Sequence, residues 1–69
     1  RKPLSTKEQQ EFIIESFPGV GPSLAKYLLS KFGSVKNVVN ASESELMDVE
    51  KIGKSKAGEI QRVLSEDYQ

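Results

Sequence analysis

The strongest pattern in the chain is a run of apolar residues at helical spacing after Pro22. They fall at positions i, i+1, i+4, i+5 and i+8, which form one stripe along a helix. The stripe consists of Leu24, Ala25, Leu28, Leu29 and Phe32. Pro22 suits the first position of a helix, and Gly33 suits the residue that ends it. The sequence therefore predicts an amphipathic helix over residues 22–32.

Serine residues mark the starts of three further helices. Ser5 with Glu8 and Ser42 with Glu45 have the capping-box spacing, and Ser34 precedes a short valine-rich stretch. The first of these helices is predicted from Thr6 to about Ser16, with Phe12, Ile13 and Phe17 inward, and the second from Val35 to Asn40, carrying Val35, Val38 and Val39. A short helix follows through Leu46 to Val49. The last helix is predicted from about Lys54 to Ser65, with Ala57, Ile60, Val63 and Leu64 inward. No segment alternates apolar and polar residues with a period of two, so the chain predicts an all-α fold.

The chain repeats itself after a shift of 32 residues. The matching pairs are Glu11 with Glu43, Ile14 with Leu46, Phe17 with Val49, Val20 with Ile52, Gly21 with Gly53, Ala25 with Ala57, and Leu28 with Ile60. The two capping boxes are expected to match as well. The repeated unit is a helix, a tight hairpin and a second helix, at about residues 6–32 and 42–66, with a connector helix at 34–40. All of it is expected to form one domain over residues 1–69.

The first hairpin has the features of an anion site. Gly21 precedes the helix without a side-chain oxygen, so the first amide groups of that helix are left free. These amides and the positive end of the helix dipole attract phosphate. Gly19 and Gly21 let the backbone turn sharply and approach a ligand closely. Ser23 can add a hydroxyl donor, and Lys26 follows one turn later.

The second hairpin places cations where a helix disfavours them. Lys51, Lys54 and Lys56 surround the start of the last helix, at a cost of roughly 0.3–1 kcal/mol each. An anion bound over that end would reverse the sign of this effect. Where the first hairpin has Gly19, the second has Lys51, which tolerates a left-handed backbone poorly. The second hairpin is therefore expected to be distorted, or to bind mainly through side-chain charge, and the first to be the better-formed site.

Each feature also has a plain structural explanation. The glycines of the first hairpin can make a tight helix–helix corner and nothing more. Ala25 and Ala57 fit close helix packing. Single exposed lysines are ordinary solvated surface, and Ser23 and Ser55 fit local caps. The repetition of the whole set of residues favours the binding interpretation.

Composition limits the chemistry. The 69 residues carry 10 basic and 10 acidic side chains, with no histidine and no cysteine. This excludes the usual nucleophile–base pairs and thiolate metal sites. Glu43, Glu45 and Asp48 lie at a helix start, where acids stabilise the dipole, so neither metal binding nor catalysis is expected of them. No apolar run is long enough to span a membrane. The chain begins at Arg1, and we expect it to be a piece of a longer protein.

The segment "FPGVG" at residues 17–21, followed by Ala25 and Leu28, resembles the DNA-binding helix-hairpin-helix pattern. Two copies joined by a short helix resemble the tandem helix-hairpin-helix domain, which is SAM-like and similar to the second domain of RuvA. The stretch "LLSKFGSVKNVVNASESELMDVEKIGKSKAGEI" is most similar to the C-terminal domain of XPF-family structure-specific endonucleases, above all the archaeal Hef helicase–nuclease. The end of bacterial UvrC is also similar. The resemblance covers about residues 6–68.

The resemblance implies five helices and two hairpins that contact duplex phosphates about one minor groove apart, without reading bases. The implied DNA-binding residues are Gly19, Val20, Gly21, Ser23 and Lys26 in the first hairpin, and Lys51, Ile52, Gly53, Lys54, Ser55 and Lys56 in the second. The partner is then double-stranded or branched DNA. No catalytic residue, metal, cofactor, small-molecule substrate or membrane is implied for this domain, since catalysis in that family belongs to other domains.

Such domains also form dimers, and an aromatic residue beyond the last helix docks on the partner. Tyr68 matches that position, although a frayed terminal residue would look the same. Tyr27 lies off the apolar stripe and is expected at the dimer contact, at the surface or over the core. A homodimer is expected, and a heterodimer is the alternative. The location implied is inside the cell, in the cytoplasm of an archaeon or the nucleus of a eukaryote.

Two other functions remain open from the sequence. A SAM-like protein-interaction module would also be a five-helix domain of this size and would account for the net charge of zero. It would not account for glycine caps and lysines at two helix starts. In the other alternative, only one hairpin binds DNA and the second serves the dimer.

Overall fold

A computed structural model describes residues 4–69. Five α-helices make up this part of the chain, and it contains no strand. They are α1 (Thr6–Glu15), α2 (Pro22–Phe32), α3 (Val35–Asn40), α4 (Glu43–Met47) and α5 (Lys54–Ser65). The all-α fold class is therefore confirmed. None of these helices is long and apolar enough to cross a membrane.

Serine caps begin three of the helices, as the sequence predicts. The Oγ of Ser5 accepts from the N–H of Glu8 at 3.1 Å, and the carboxylate of Glu8 accepts from the N–H of Ser5 at 2.9 Å. Ser42 makes the same reciprocal pair with Glu45 at the start of α4. Ser34 accepts from the third amide of α3. Each cap satisfies a backbone donor that has no partner within its helix.

The helices pack as two helical hairpins. α1 lies against α2, and α4 lies against α5, while α3 contacts both α1 and α2. Gln61 of α5 donates a hydrogen bond of 2.7 Å to the carbonyl oxygen of Ala41, the C-cap of α3. This bond attaches the second hairpin to the connector, and no pattern in the sequence pointed to it.

The repeat is visible in the core. Five of the matched pairs are buried at both members: Ile14 and Leu46, Phe17 and Val49, Val20 and Ile52, Ala25 and Ala57, Leu28 and Ile60. Val38 of α3 and Ala41 complete the buried cluster. Matched positions are thus buried in both helical hairpins. The capping boxes do not match, because their serines stand 37 positions apart (42 minus 5), so α1 has ten residues and α4 five.

Four residues predicted to face inward are exposed instead. Phe12 and Ile13 of α1 are 64% and 50% exposed, and Val63 of α5 is 56% exposed. Val39 also lies mainly outside the core. A helix presents only one stripe to its neighbours, and the buried residue of α1 is Ile14, followed by Phe17 in the turn after the helix. The local count of apolar residues was wrong here, whereas the 32-residue repeat identified Ile14.

Candidate nucleic-acid interface

The two helical hairpins have the same hydrogen-bonded turn at their tips, at residues 17–20 and 49–52, and we call each turn with the start of the following helix a hairpin. The N–H of Val20 donates to the carbonyl of Phe17 at 3.1 Å, and the N–H of Ile52 donates to that of Val49 at 3.0 Å. In each turn the residue before the donor is left-handed, with φ of 72° at Gly19 and 79° at Lys51. This is the geometry that a type II turn requires at its third position.

The expectation of a distorted second hairpin is therefore wrong. Lys51 adopts a backbone φ close to that of Gly19, and it is the one non-glycine residue among 4–69 with a positive φ. The turn keeps its hydrogen bond and its position relative to the following helix. The strain falls on Lys51 itself, because a side chain in this region is crowded by its own backbone.

The two helices that follow the hairpins are the two without a side-chain cap among the five described. Gly21 and Gly53, their N-caps, have nearly identical extended backbones, with φ, ψ of −96°, −175° and −88°, −178°. The first amides bonded to these caps are those of Ala25 and Ala57. The earlier amides of each helix point outward with the positive end of the dipole, which is an anion-binding arrangement.

The number of free amides differs between the two helices. α5 offers the N–H groups of Lys54, Ser55 and Lys56 ahead of its first internal bond. α2 offers those of Ser23 and Leu24 only, since proline at its first position has no N–H. The second hairpin thus has one more backbone donor, and the two turns are equally well formed. The expectation that the first hairpin is the better-formed site does not hold for the backbone.

Val20 and Ile52 support the turns. Their side chains are 6% and 3% exposed, and their N–H groups are the ones that close the turns. Neither an apolar side chain nor an amide donor is therefore available to a ligand at these two predicted positions. Ser23, Lys51, Lys54 and Ser55, in contrast, have exposed side chains at the starts of α2 and α5 or in the turn before α5.

Lys26 lies to one side of the first hairpin. Its exposed side chain lines a cleft of about 400 Å³ between α1 and α2, together with Lys7, Gln10 and Glu11. The carboxylate of Glu11 in the same cleft offsets part of the positive charge. Lys26 therefore stands farther from the free amides of α2 than Ser23 does.

Lys56 lies between the two hairpins. It belongs to the second by sequence, yet its half-buried stem covers Gly19 of the first: a Cβ on Gly19 would be 2.9 Å from Cε of Lys56. Its Nζ donates a long hydrogen bond, 3.4 Å, to the carbonyl oxygen of Lys51. Sequence reasoning assigned Lys56 to phosphate and missed this contact.

The two tyrosines expected at a dimer contact lie in different surroundings. Tyr68 follows α5 and is fully exposed, next to Val63 and Glu66. Tyr27 is 51% exposed and shares a cleft of about 210 Å³ with Leu24 and Lys51. The dimer contact remains a prediction at both positions, and Tyr27 stands beside the second hairpin.

Two of the acidic residues stabilise helix starts. The carboxylates of Glu8 and Glu45 accept hydrogen bonds from the backbone of their own N-caps. The bonds from the backbone and the side chain of Ser5 lower the pKa of Glu8. Within residues 4–69 no three acidic side chains come together as metal ligands would.

The sequence and the fold both have clear relatives. Residues 13–66 match the model of the SAM-like helix-hairpin-helix tandem. The chain is 52% identical over 66 residues to a protein of Methanocaldococcus jannaschii named as an ATP-dependent RNA helicase, covering 96% of this chain and 8% of that protein. It is 46% identical over 65 residues to the 3'-flap repair endonuclease Xpf of Saccharolobus solfataricus, covering 93% of this chain and 27% of that one.

A solved structure has the same fold. XPF from Aeropyrum pernix in complex with DNA superposes with a TM-score of 0.89 at 37% identity, over 97% of this chain and 34% of that one. The chain thus spans less than a third of the length of either curated relative. The resemblance to XPF-type proteins noted from the hairpin motifs is confirmed. By its match over residues 13–66, the chain belongs to the SAM-like helix-hairpin-helix tandem family.

Proposed function

We propose that the chain is a sequence-independent DNA-binding module of a structure-specific endonuclease or helicase–nuclease. The observation that carries the proposal is the pair of matched helix starts, in which Gly21 and Gly53 leave outward-facing amides free. The other three helices of residues 4–69 have serine caps that bond to one of their first amides, so uncapped amides distinguish the two helix starts that follow the turns. Two such ends suit a polymer with phosphates at regular spacing.

Each hairpin contacts phosphate through the backbone and through short or basic side chains. The free amides of α2 and Ser23 form the first contact. Those of α5, with Lys51, Lys54 and Ser55, form the second. None of these groups reads a base edge, so binding does not depend on sequence. The two contacts fall on the two strands that border one minor groove.

The relatives support this proposal. One is named as a 3'-flap repair endonuclease and another as a helicase, and the superposed XPF structure is a complex with DNA. This chain covers 27% of the endonuclease and 8% of the helicase, so the proposal leaves catalysis to the rest of a longer protein. The role of this module is then to place that protein on branched or fork DNA inside the cell. No cofactor takes part, because the helix ends supply the donors.

A charge placed on the two caps tests the proposal. A Cβ on Gly21 or Gly53 meets no atom within 4 Å, and neither residue needs a left-handed backbone, so side chains fit without disturbing the helices. The double variant Gly21→Glu with Gly53→Glu is expected to abolish DNA binding while the far-ultraviolet circular dichroism is unchanged. The double glutamine variant, equal in size and neutral, is expected to retain part of the affinity.

Survival of full affinity in the glutamate variant would show that the hairpins are not the contact. Loss of affinity to the same degree in the glutamine variant would assign the effect to size and not to phosphate charge. If the wild type binds neither duplex nor fork DNA, the protein-interaction function of SAM-like domains is favoured instead.

We also propose that the module forms a homodimer through its C-terminal end. Tyr68 is a large, fully exposed side chain after α5, and it shares a surface cleft with the exposed Val63 of that helix. Burial of such a ring stabilises an interface. A heterodimer with a related chain would use the same residue.

A further inference from the structure

The tips of the two hairpins touch through one side chain. Lys56 is the third residue of α5, and its Cγ, Cδ and Cε stand 3.4, 3.2 and 2.9 Å from the position that a Cβ on Gly19 would occupy. The ammonium group turns toward the carbonyl oxygen of Lys51. One side chain therefore contacts the left-handed residue of the first hairpin with its stem and that of the second with its charge.

The first helical hairpin has a corresponding residue near the second turn. Leu24 is the third residue of α2 and the match of Lys56 under the 32-residue shift (56 minus 32). It is half-buried and lines one cleft with Lys51. In each case the third residue of one helix lies at the left-handed residue of the other turn. We call these four residues, Gly19, Leu24, Lys51 and Lys56, the clasp.

The clasp gives the two turns different surroundings. The long stem of Lys56 fills the space over the first turn, so position 19 accepts no side chain unless Lys56 moves. Leu24 is shorter and leaves an open cleft at the second turn, where a side chain at position 51 has room. A side chain at position 19 would therefore need both a left-handed backbone and a shift of the Lys56 stem, whereas one at position 51 needs only the left-handed backbone.

We propose that Lys56 is a positioning residue that fixes the spacing between the two phosphate-binding hairpins through its stem, and not a phosphate ligand. This inference rests on the proposed function, because spacing matters only if both hairpins bind one duplex. Two contacts held at the spacing of the strands act as a bivalent ligand, whose affinity exceeds that of either contact alone. A hairpin that is free to move away loses this advantage.

Two variants of Lys56 separate stem from charge. Lys56→Met keeps carbons and sulfur as far as the Cε that covers Gly19, and removes the ammonium. Lys56→Ala removes both. We would measure binding to a blunt DNA duplex by fluorescence anisotropy over a series of salt concentrations, with Lys54→Met and Lys54→Ala as matched controls, since Lys54 lies on the same helix end and is exposed.

The methionine variant is expected to bind with the salt slope of the wild type. The alanine variant is expected to lose at least about tenfold in affinity, because bivalent binding is lost. Its salt slope is expected to fall by more than one unit, since all charges of one hairpin leave the DNA. Both Lys54 variants are expected to lower the slope by the same amount, about 0.9 for one phosphate. Circular dichroism and thermal unfolding establish that each variant is folded.

Three results would overturn the inference. An equal fall in slope of about one unit in both Lys56 variants would make Lys56 a direct phosphate ligand. Affinities unchanged in both would make the clasp irrelevant to binding. If the methionine variant bound DNA as weakly as the alanine variant, the stem of Lys56 would not be what fixes the spacing of the hairpins. Absence of binding by the wild type would instead overturn the proposed function, and this inference with it.

Discussion

Lys51→Gly is expected to make the protein more stable and a weaker DNA binder. Lys51 holds a φ of 79°, the region in which a side chain clashes with its own backbone. Its match in the first hairpin is Gly19, with a φ of 72°, so the chain itself shows that glycine fits this turn. Lysine at position 51 therefore makes the domain less stable than glycine would, and we attribute its presence to the charge that it places at the DNA surface.

The size of the effect follows from two opposing contributions. A left-handed backbone costs a non-glycine residue roughly 1–2 kcal/mol. Replacing lysine by glycine relieves this cost, but it also destabilises the folded state by about 0.4–1 kcal/mol, because glycine gives the unfolded chain more conformational freedom. The net gain in the free energy of unfolding is about 1 kcal/mol, which corresponds to a rise in Tm of about 4–8 °C for a domain of this size.

Lys51→Ala is the matched control. Alanine keeps the Cβ that causes the strain but loses the charge and the rest of the side chain that lines the cleft with Leu24, so its stability is expected to remain at or below that of the wild type. Both variants lose the same charge, and both are expected to lower the slope of log affinity against log salt by about 0.9. Thermal unfolding followed by circular dichroism, together with DNA titrations, measures the two effects separately.

A glycine variant no more stable than the alanine variant would refute the strain at Lys51. A glycine variant that gains stability and keeps the wild-type salt slope would refute the role of its charge in DNA binding. The unfolding curves therefore test the backbone strain, and the DNA titrations test the charge.

Three further predictions follow from single side chains. Glu50→Pro gives the second turn the proline that Pro18 provides in the first, and it is expected to add about 0.4–1 kcal/mol to the free energy of unfolding. It is also expected to raise DNA affinity, because it removes a negative charge beside the second hairpin. Glu50→Gln, titrated in the same way, separates the effect of the charge from that of the backbone. The pKa of Glu8 is lowered in the folded state, so the ionised carboxylate stabilises the fold fully above the ordinary pKa of a glutamate, and this stabilisation is lost as the pH falls through the lowered value. Acid unfolding curves are expected to show this pH dependence in the wild type and not in Glu8→Gln. Tyr68→Ala is expected to give a monomer in sedimentation, and a dimer that persists in this variant would exclude Tyr68 as the anchor.

Much of the fold could be predicted from the sequence. Helix starts were accurate where a side chain or a proline marks them, as at Ser5, Pro22 and Ser42. The 32-residue repeat identified the core pairs, because matched positions bury the same face of matched helices. Counting nearby apolar residues failed at Phe12 and Ile13, since adjacent residues on a helix face different directions.

The candidate site was predicted in part. Its free amides follow from glycine at two helix starts, which is visible in the sequence. The left-handed backbone of Lys51 does not, because lysine rarely adopts it and only the match to Gly19 pointed to it. The position of Lys56 over Gly19 depends on how the two helical hairpins pack, which no local pattern records, although its equivalence to Leu24 was available from the repeat.

We propose above that both glycine-capped helix starts bind the phosphates of one duplex. The most direct test is a set of anisotropy titrations against duplex DNA at several salt concentrations, with the wild type, Gly21→Glu and Gly53→Glu. We expect wild-type binding to weaken steadily with salt, and each single variant to lose more affinity than the removal of one lysine costs. Binding that is insensitive to salt, or that either glutamate variant leaves unchanged, would contradict it.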